Sequence, residues 1–133
     1  MSRFLWECDN GANCFAESRL LRFEHVNDVF PGSIGMTDID GLVEVRGALC
    51  IVEFKAPGAD LPTGQRILFE RFTLQRNTRG NRHNLAILCE GDAPTMTPTR
   101  LRAWWQGRGT PWRAADRDEL RCMLARWVSR VSG

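Results

Sequence analysis

The sequence predicts an α/β fold with a mixed sheet at its centre and helices packed on it. Amphipathic helical stretches at residues 15–30 and 63–76 alternate with strand-like apolar stretches at 36–46, 48–55 and 84–89. The 133 residues contain no repeat, low-complexity tract or linker, so residues 1–133 are expected to form a single domain. Hydrophobic residues make up 43% and charged residues 26%, a globular balance that excludes disordered, collagen-like and coiled-coil classes.

Residues 1–14 are irregular, with a turn at Asp9-Asn10-Gly11. Over 15–30, Phe15, Leu20, Leu21, Phe23, Val26, Val29 and Phe30 recur at three- and four-residue spacings, a helix closed by Pro31-Gly32. Residues 36–46 and 48–55 then read as strands joined around Gly47, neighbours in an antiparallel hairpin. Leu68, Phe69 and Phe72 give residues 63–76 one apolar side and make them a second helix. Residues 84–89 (NLAILC) suit a short buried strand. Residues 97–106 alternate, with Leu101, Ala103 and Trp105 on one face and Arg100, Arg102 and Trp104 on the other. The segment Pro111-Trp112-Arg113 can pair back after a turn at 107–109, and Asp116 is placed to N-cap a final helix reaching Val131.

No stretch approaches the roughly 20 apolar residues that span a bilayer, and the first ten residues lack an apolar export core. The expectation is a cytoplasmic protein with no membrane partner. Seventeen arginines and one lysine, Lys55, supply the positive charge. Eight of those arginines fall in residues 97–133 against three acids, whereas residues 1–96 carry a small acidic excess. A basic final third suits a polyanion partner, and equally a solvated arginine face. Five cysteines (8, 14, 50, 89 and 122) form an odd set, which argues against a disulfide framework. Cys50 and Cys89 lie in apolar runs and read as small core residues, while Cys8 and Cys14, near His25, lack the paired spacing of a zinc site.

The chemistry concentrates in residues 35–65. Glu53 and Lys55 lie two apart on a strand and leave the same face. Asp38 and Asp40 share a parity on the partner strand, and either can approach Glu53 across the hairpin. Carboxylates brought this close repel unless one is protonated or a cation lies between them. Hard oxygen ligands open to solvent suit Mg²⁺ or Mn²⁺. A lysine beside them offers fixed positive charge to a phosphate oxygen and can orient an attacking water. A lone E-x-K is more often a cross-strand salt bridge. Here it closes an apolar strand, faces an Asp-Gly step and uses the chain's one lysine.

Asp40…Glu53-Phe54-Lys55, on a hairpin between two helices, resembles the PD-(D/E)XK nuclease superfamily over residues 15–90. The resemblance implies the restriction-endonuclease-like fold, an α-β-β-β-α-β core, here followed by a C-terminal strand and helix. It suggests a small single-domain member of the phage or prophage type, which would work in the host cytoplasm. In that reading Asp40 matches the aspartate of the first core strand, and Glu53 and Lys55 match the E-x-K. Gln65 is similar to the glutamine of the Q-x-x-x-Y helix, with Phe69 in place of the tyrosine. Thr37 stands where the family name has proline. The implied metal ligands are Asp40, Glu53 and the Phe54 carbonyl, with Asp38 and Glu24 as further carboxylates. The implied activity is Mg²⁺- or Mn²⁺-dependent hydrolysis of phosphodiester bonds in DNA, by Asp40, Glu53, Lys55 and Gln65.

Arg66, Arg71, Arg76, Arg79 and Arg82 border the second helix and its exit, and Arg100, Arg102 and Arg113 follow, offering a track for a nucleic-acid backbone. Many nucleases of this fold act as homodimers. The competing reading is a catalytically silent module that binds DNA or a protein partner, such as a phage-encoded inhibitor. Tryptophans 104, 105, 112 and 127 suit core filling; Trp104, beside Arg100 and Arg102, is the best candidate for base stacking.

Overall fold

The computed structural model of the protein describes residues 24–32, 34, 36, 39–59 and 61–133. Two compact units divide the chain, Met1–Asp38 and Ile39–Gly133. In the first, a short helix α1 (Glu24–Asn27) ends in turns, and the Asn27 side chain accepts a hydrogen bond from the Met36 N–H at 3.0 Å. The helix stops at Asn27, three residues short of the expected end at Phe30, and turns lead through Pro31 to Gly32 at a φ of 63°. The start of the predicted helix, Cys8 and Cys14 and the side chain of Glu24 lie outside the described residues, as does Asp38.

The second unit is an α/β sheet domain. Strands β1 (Gly41–Val45) and β2 (Ala48–Lys55) form the antiparallel hairpin. Their two-residue turn puts both Arg46 and Gly47 at positive φ, 51° and 86°, the geometry that matches the twist of paired strands. Helix α2 (Thr63–Leu74) then carries the chain back, so that β3 (Leu85–Asp92) lies parallel to β2. Strand β4 (Thr97–Trp105) returns antiparallel to β3, and two short strands, β5 (Arg108–Gly109) and β6 (Arg113–Ala114), pair with β4. Helix α3 (Arg117–Ser132) ends the chain, N-capped as expected by Asp116, whose carboxylate accepts the Glu119 N–H at 2.8 Å.

Alternation along the strands divides the core in two. One face of the sheet (Ala48, Cys50, Val52, Leu85, Ile87, Cys89, Leu101 and Ala103) packs against Leu120, Trp127 and Val131 of α3. Burial pushes the Cys50 and Cys89 thiols up to about 12, so both stay protonated and act as small hydrophobes. The other face (Ile51, Ala86, Leu88 and Trp104) packs against Phe69 and Phe72 of α2. Each of those phenylalanines contributes roughly 2 kcal/mol of apolar burial. Asn84 ties this layer together, accepting the Leu49 N–H at 2.9 Å and donating to the Phe72 carbonyl at 3.0 Å.

Several boundaries differ from the sequence reading. β1 starts at Gly41 rather than residue 36, because the Asp40 side chain takes the Phe54 N–H that the next main-chain carbonyl of a longer strand would accept. α2 stops at Leu74, and β4 at Trp105. β3 extends to Asp92, beyond Cys89, across a bulge at Glu90/Gly91. Gly91 has a φ of 151°, and a Cβ there would collide with the Thr97 carbonyl and with Pro98 Cα, so the bulge needs glycine. Among the described residues two strands precede α2, one fewer than in the α-β-β-β-α-β core that the resemblance implies. Among the described residues no helix is long and apolar enough to cross a membrane.

Candidate active site

The α2 face of the sheet changes character from one end to the other. Register places Ile51, Ala86 and Trp104 side by side across β2, β3 and β4, an apolar row. Two residues further along β2 the row is Glu53, Leu88 and Arg102, and two further still it is Lys55, Glu90 and Arg100. Asp40 precedes Gly41, the partner of Val52, and so stands opposite Glu53. A row of hydrophobes gives way within two steps to a row made wholly of charge.

The strand end places Asp40 opposite Glu53 and links the two through the Asp40 main chain. Glu53 is 5% exposed and its Oε1 accepts the Asp40 N–H at 3.1 Å. The Asp40 carboxylate, at the exposed strand end, turns instead to the next residue of β2: its Oδ2 accepts the Phe54 N–H at 2.7 Å. In an extended strand the N–H and C=O of one residue leave the same edge, so the Phe54 carbonyl also turns toward Asp40, past the end of the ladder with β1. Two carboxylates and a carbonyl are hard oxygen donors, and Mg²⁺ is commonly held by one or two carboxylates while keeping several waters. The donor set fits that ion. Among the described residues no group of three or more His, Cys, Asp or Glu gathers where it could hold a metal ion.

Lys55, half-buried, follows on the same face as Glu53, and among the described residues it is engaged in no ion pair. Gln65 lies in the first turn of α2, 9% exposed, and its Oε1 is buried without a hydrogen-bond partner. A buried amide oxygen without a donor costs free energy of about 1–3 kcal/mol, so its presence asks for a ligand or a mobile donor.

Glu90 was not singled out from the sequence. It sits beside Lys55 in the parallel register, 4% exposed, and grips Arg100 through two contacts, Nε to Oε1 at 2.8 Å and Nη2 to Oε2 at 2.6 Å. The Arg100 guanidinium, working against burial and aided by the Gly58 N–H, holds the Glu90 carboxyl below the usual carboxylate range. Arg100 in turn lies over the Trp112 ring, 4.2 Å from its centroid. Its signal in the sequence was an acid directly after an apolar strand, followed by glycine.

The arginine track is divided. Arg66, Arg100 and Arg102 share one hollow near the carboxylates. Arg76, Arg79 and Arg82 belong to the exit of α2, where Asn77 and Thr78 approach the Gly47 turn at the far end of β2. Eight residues of strand, about 25 Å, separate the two groups. Trp104 is 1% exposed, wedged between Phe69 (ring centroids 5.0 Å apart) and the Arg102 guanidinium, which corrects its candidacy for base stacking: it is a core residue.

The fold and the site define an α/β protein with a mixed sheet whose α2 face ends in paired acids, a lysine and clustered arginines. No protein-family model, curated protein or solved structure matches the chain.

Proposed function

We propose that the protein is a divalent-metal-dependent nuclease that hydrolyses phosphodiester bonds, with DNA as its substrate, on the pattern of the PD-(D/E)XK superfamily. The observation that carries this reading is the placement of Asp40 opposite Glu53 at the strand end, linked through the Asp40 N–H, with Lys55 following on the same face as Glu53. A binding module has no physical need to hold two like charges together at a strand end beside a lysine.

Asp40, Glu53 and the Phe54 carbonyl would hold Mg²⁺ or Mn²⁺, which when bound supplies polarisation of the phosphate and a sharper nucleophile. The chain's own groups do the rest. Lys55 orients the attacking water and meets negative charge as it builds on the phosphate oxygens. Gln65, fixed by α2 with its oxygen unsatisfied, accepts a hydrogen bond from Lys55 or from the water and so holds either in line. Arg66 and Arg102 lie on the same side of the sheet and offer donors to the strand's backbone.

The deciding experiment incubates the purified protein with plasmid and linear DNA, with Mg²⁺, with Mn²⁺ and with chelator. Metal-dependent cleavage that disappears in Glu53→Gln supports the reading. Absence of cleavage under every metal and substrate overturns it in favour of a silent binding module.

A further inference from the structure

We infer that Arg66, Arg100 and Arg102 form a subsite for a phosphate monoester, on the same sheet face as the carboxylate pair. Its place in a reaction rests on the phosphodiesterase reading above; the binding itself does not. The three guanidiniums line one hollow of about 430 Å³, walled by Trp112 and by the chain at Gly58 and Leu61.

The charges of this hollow are incompletely matched. Arg66 pairs with Glu70 at 2.7 Å and Arg100 with Glu90, but among the described residues Arg102 has no carboxylate. Its Nε is buried without an acceptor, although the guanidinium lies over Trp104 at 4.5 Å. Burial and repulsion from Arg66 both make the protonated form of Arg102 harder to keep. Guanidiniums crowded together and partly stripped of water are stabilised by an oxyanion placed between them. Arg100 is already oriented for one: Glu90 occupies its Nε and Nη2, Trp112 backs its plane, and Nη1 is left uncommitted.

Position and charge specify the ligand further. Helix α2 starts two residues past Leu61, with no side-chain cap at Pro62 and no acid in its first turn, so its positive end stays unneutralised. Three arginines against the two carboxylates bonded to them leave one positive charge, and the helix end adds about half a charge. A phosphate monoester carries about −1.5 to −2 at neutral pH and matches that total better than the single charge of a diester. Gly109 keeps the arrangement in place: a Cβ there would stand 2.6 Å from Trp104 Nε1 and 3.1 Å from Arg102 Nη2.

Calorimetric titration of the metal-free protein with inorganic phosphate tests the subsite without any turnover. Short oligonucleotides bearing a phosphate or a hydroxyl at one end then separate a free anion from a strand terminus. Phosphate is expected to bind, and Arg102→Gln and the exposed Arg66→Gln each to weaken it about tenfold, while Arg79→Gln at the far end of the sheet changes nothing. A matching gain from the terminal phosphate assigns the site to strand ends; phosphate binding without that gain assigns it to free phosphate, and both outcomes support the subsite. No phosphate binding, or binding unaltered in both Arg66→Gln and Arg102→Gln, overturns it. A protein that cuts DNA but ignores phosphate loses the subsite alone. One that binds phosphate through Arg102 but never cuts loses the hydrolase reading alone.

Discussion

On the α3 side of the sheet, β2, β3 and β4 present the buried apolar residues Ala48, Cys50, Val52, Ile87, Cys89, Leu101 and Ala103. On the α2 side the same strands present Ile51, Ala86, Leu88 and Trp104, and then Glu53, Lys55, Glu90, Arg100 and Arg102. Each side chain differs from its strand neighbour only in which way it leaves the backbone. The α3 face can therefore supply the packing on which the domain stands, and the α2 face is released to hold charges that would weaken an ordinary core. Stability and chemistry are separated by a single residue of parity.

That separation can be broken on either side. The largest effect is expected on the α3 face, where Trp127 is 4% exposed and donates from Nε1 to the His83 carbonyl at 2.7 Å. Trp127→Ala should cost about 3–5 kcal/mol of folding stability. Urea titration measures it, and the carboxylate site should still bind Mn²⁺ at temperatures where the variant remains folded. Lys55→Ala should do the reverse. The melting temperature should hold while single-turnover DNA cleavage falls about 10²-fold, or about 2.7 kcal/mol, with Mn²⁺ affinity nearly intact by calorimetry. Asp40→Asn and Glu53→Gln should instead weaken Mn²⁺, since each removes a charged ligand.

Smaller effects sharpen the contrast. Asp116→Ala removes the α3 cap and should cost about 1 kcal/mol in the same urea titration, with no change in phosphate or metal binding. The smallest expected effect is on acid stability. Arg100 lowers the folded pKa of Glu90, so the unfolded chain takes up the proton first as pH falls. The pair's contribution is present above the ordinary glutamate value of about 4.3 and is lost as pH drops through the lower folded value. Urea midpoints followed through that window should fall less steeply in Glu90→Gln than in the unaltered protein.

How much of this was legible in the sequence depended on the distance over which each feature is determined. The hairpin, α2 and the Asp116 cap depend on residues a few positions apart, and periodicity and turn chemistry revealed them. The placing of Asp40 opposite Glu53 was also legible, because a two-residue turn fixes antiparallel register and parity does the rest. Glu90 was not. Its place beside Lys55 depends on how α2 docks and sets the parallel register of β3, which no local pattern encodes. The division of the arginines escaped for the same reason: Arg66 and Arg76 are ten residues apart on one helix and its exit, and only the direction of that helix across the sheet sends them to opposite ends. Trp104 was placed on the right face, but its depth under Phe69 is a packing result.

The carboxylate of Asp40 also stands in for a main-chain carbonyl, closing the last rung of the hairpin through the Phe54 amide. The amide proton of Phe54 therefore works as an internal gauge. Anything that draws the carboxylate away, whether a proton, a cation or a substitution, loosens that rung, and the amide exchanges with solvent deuterium faster than its neighbours deeper in β2. A single exchange rate, read in the intact protein, reports whether a would-be ligand is acting on its surroundings or only holding the strand shut.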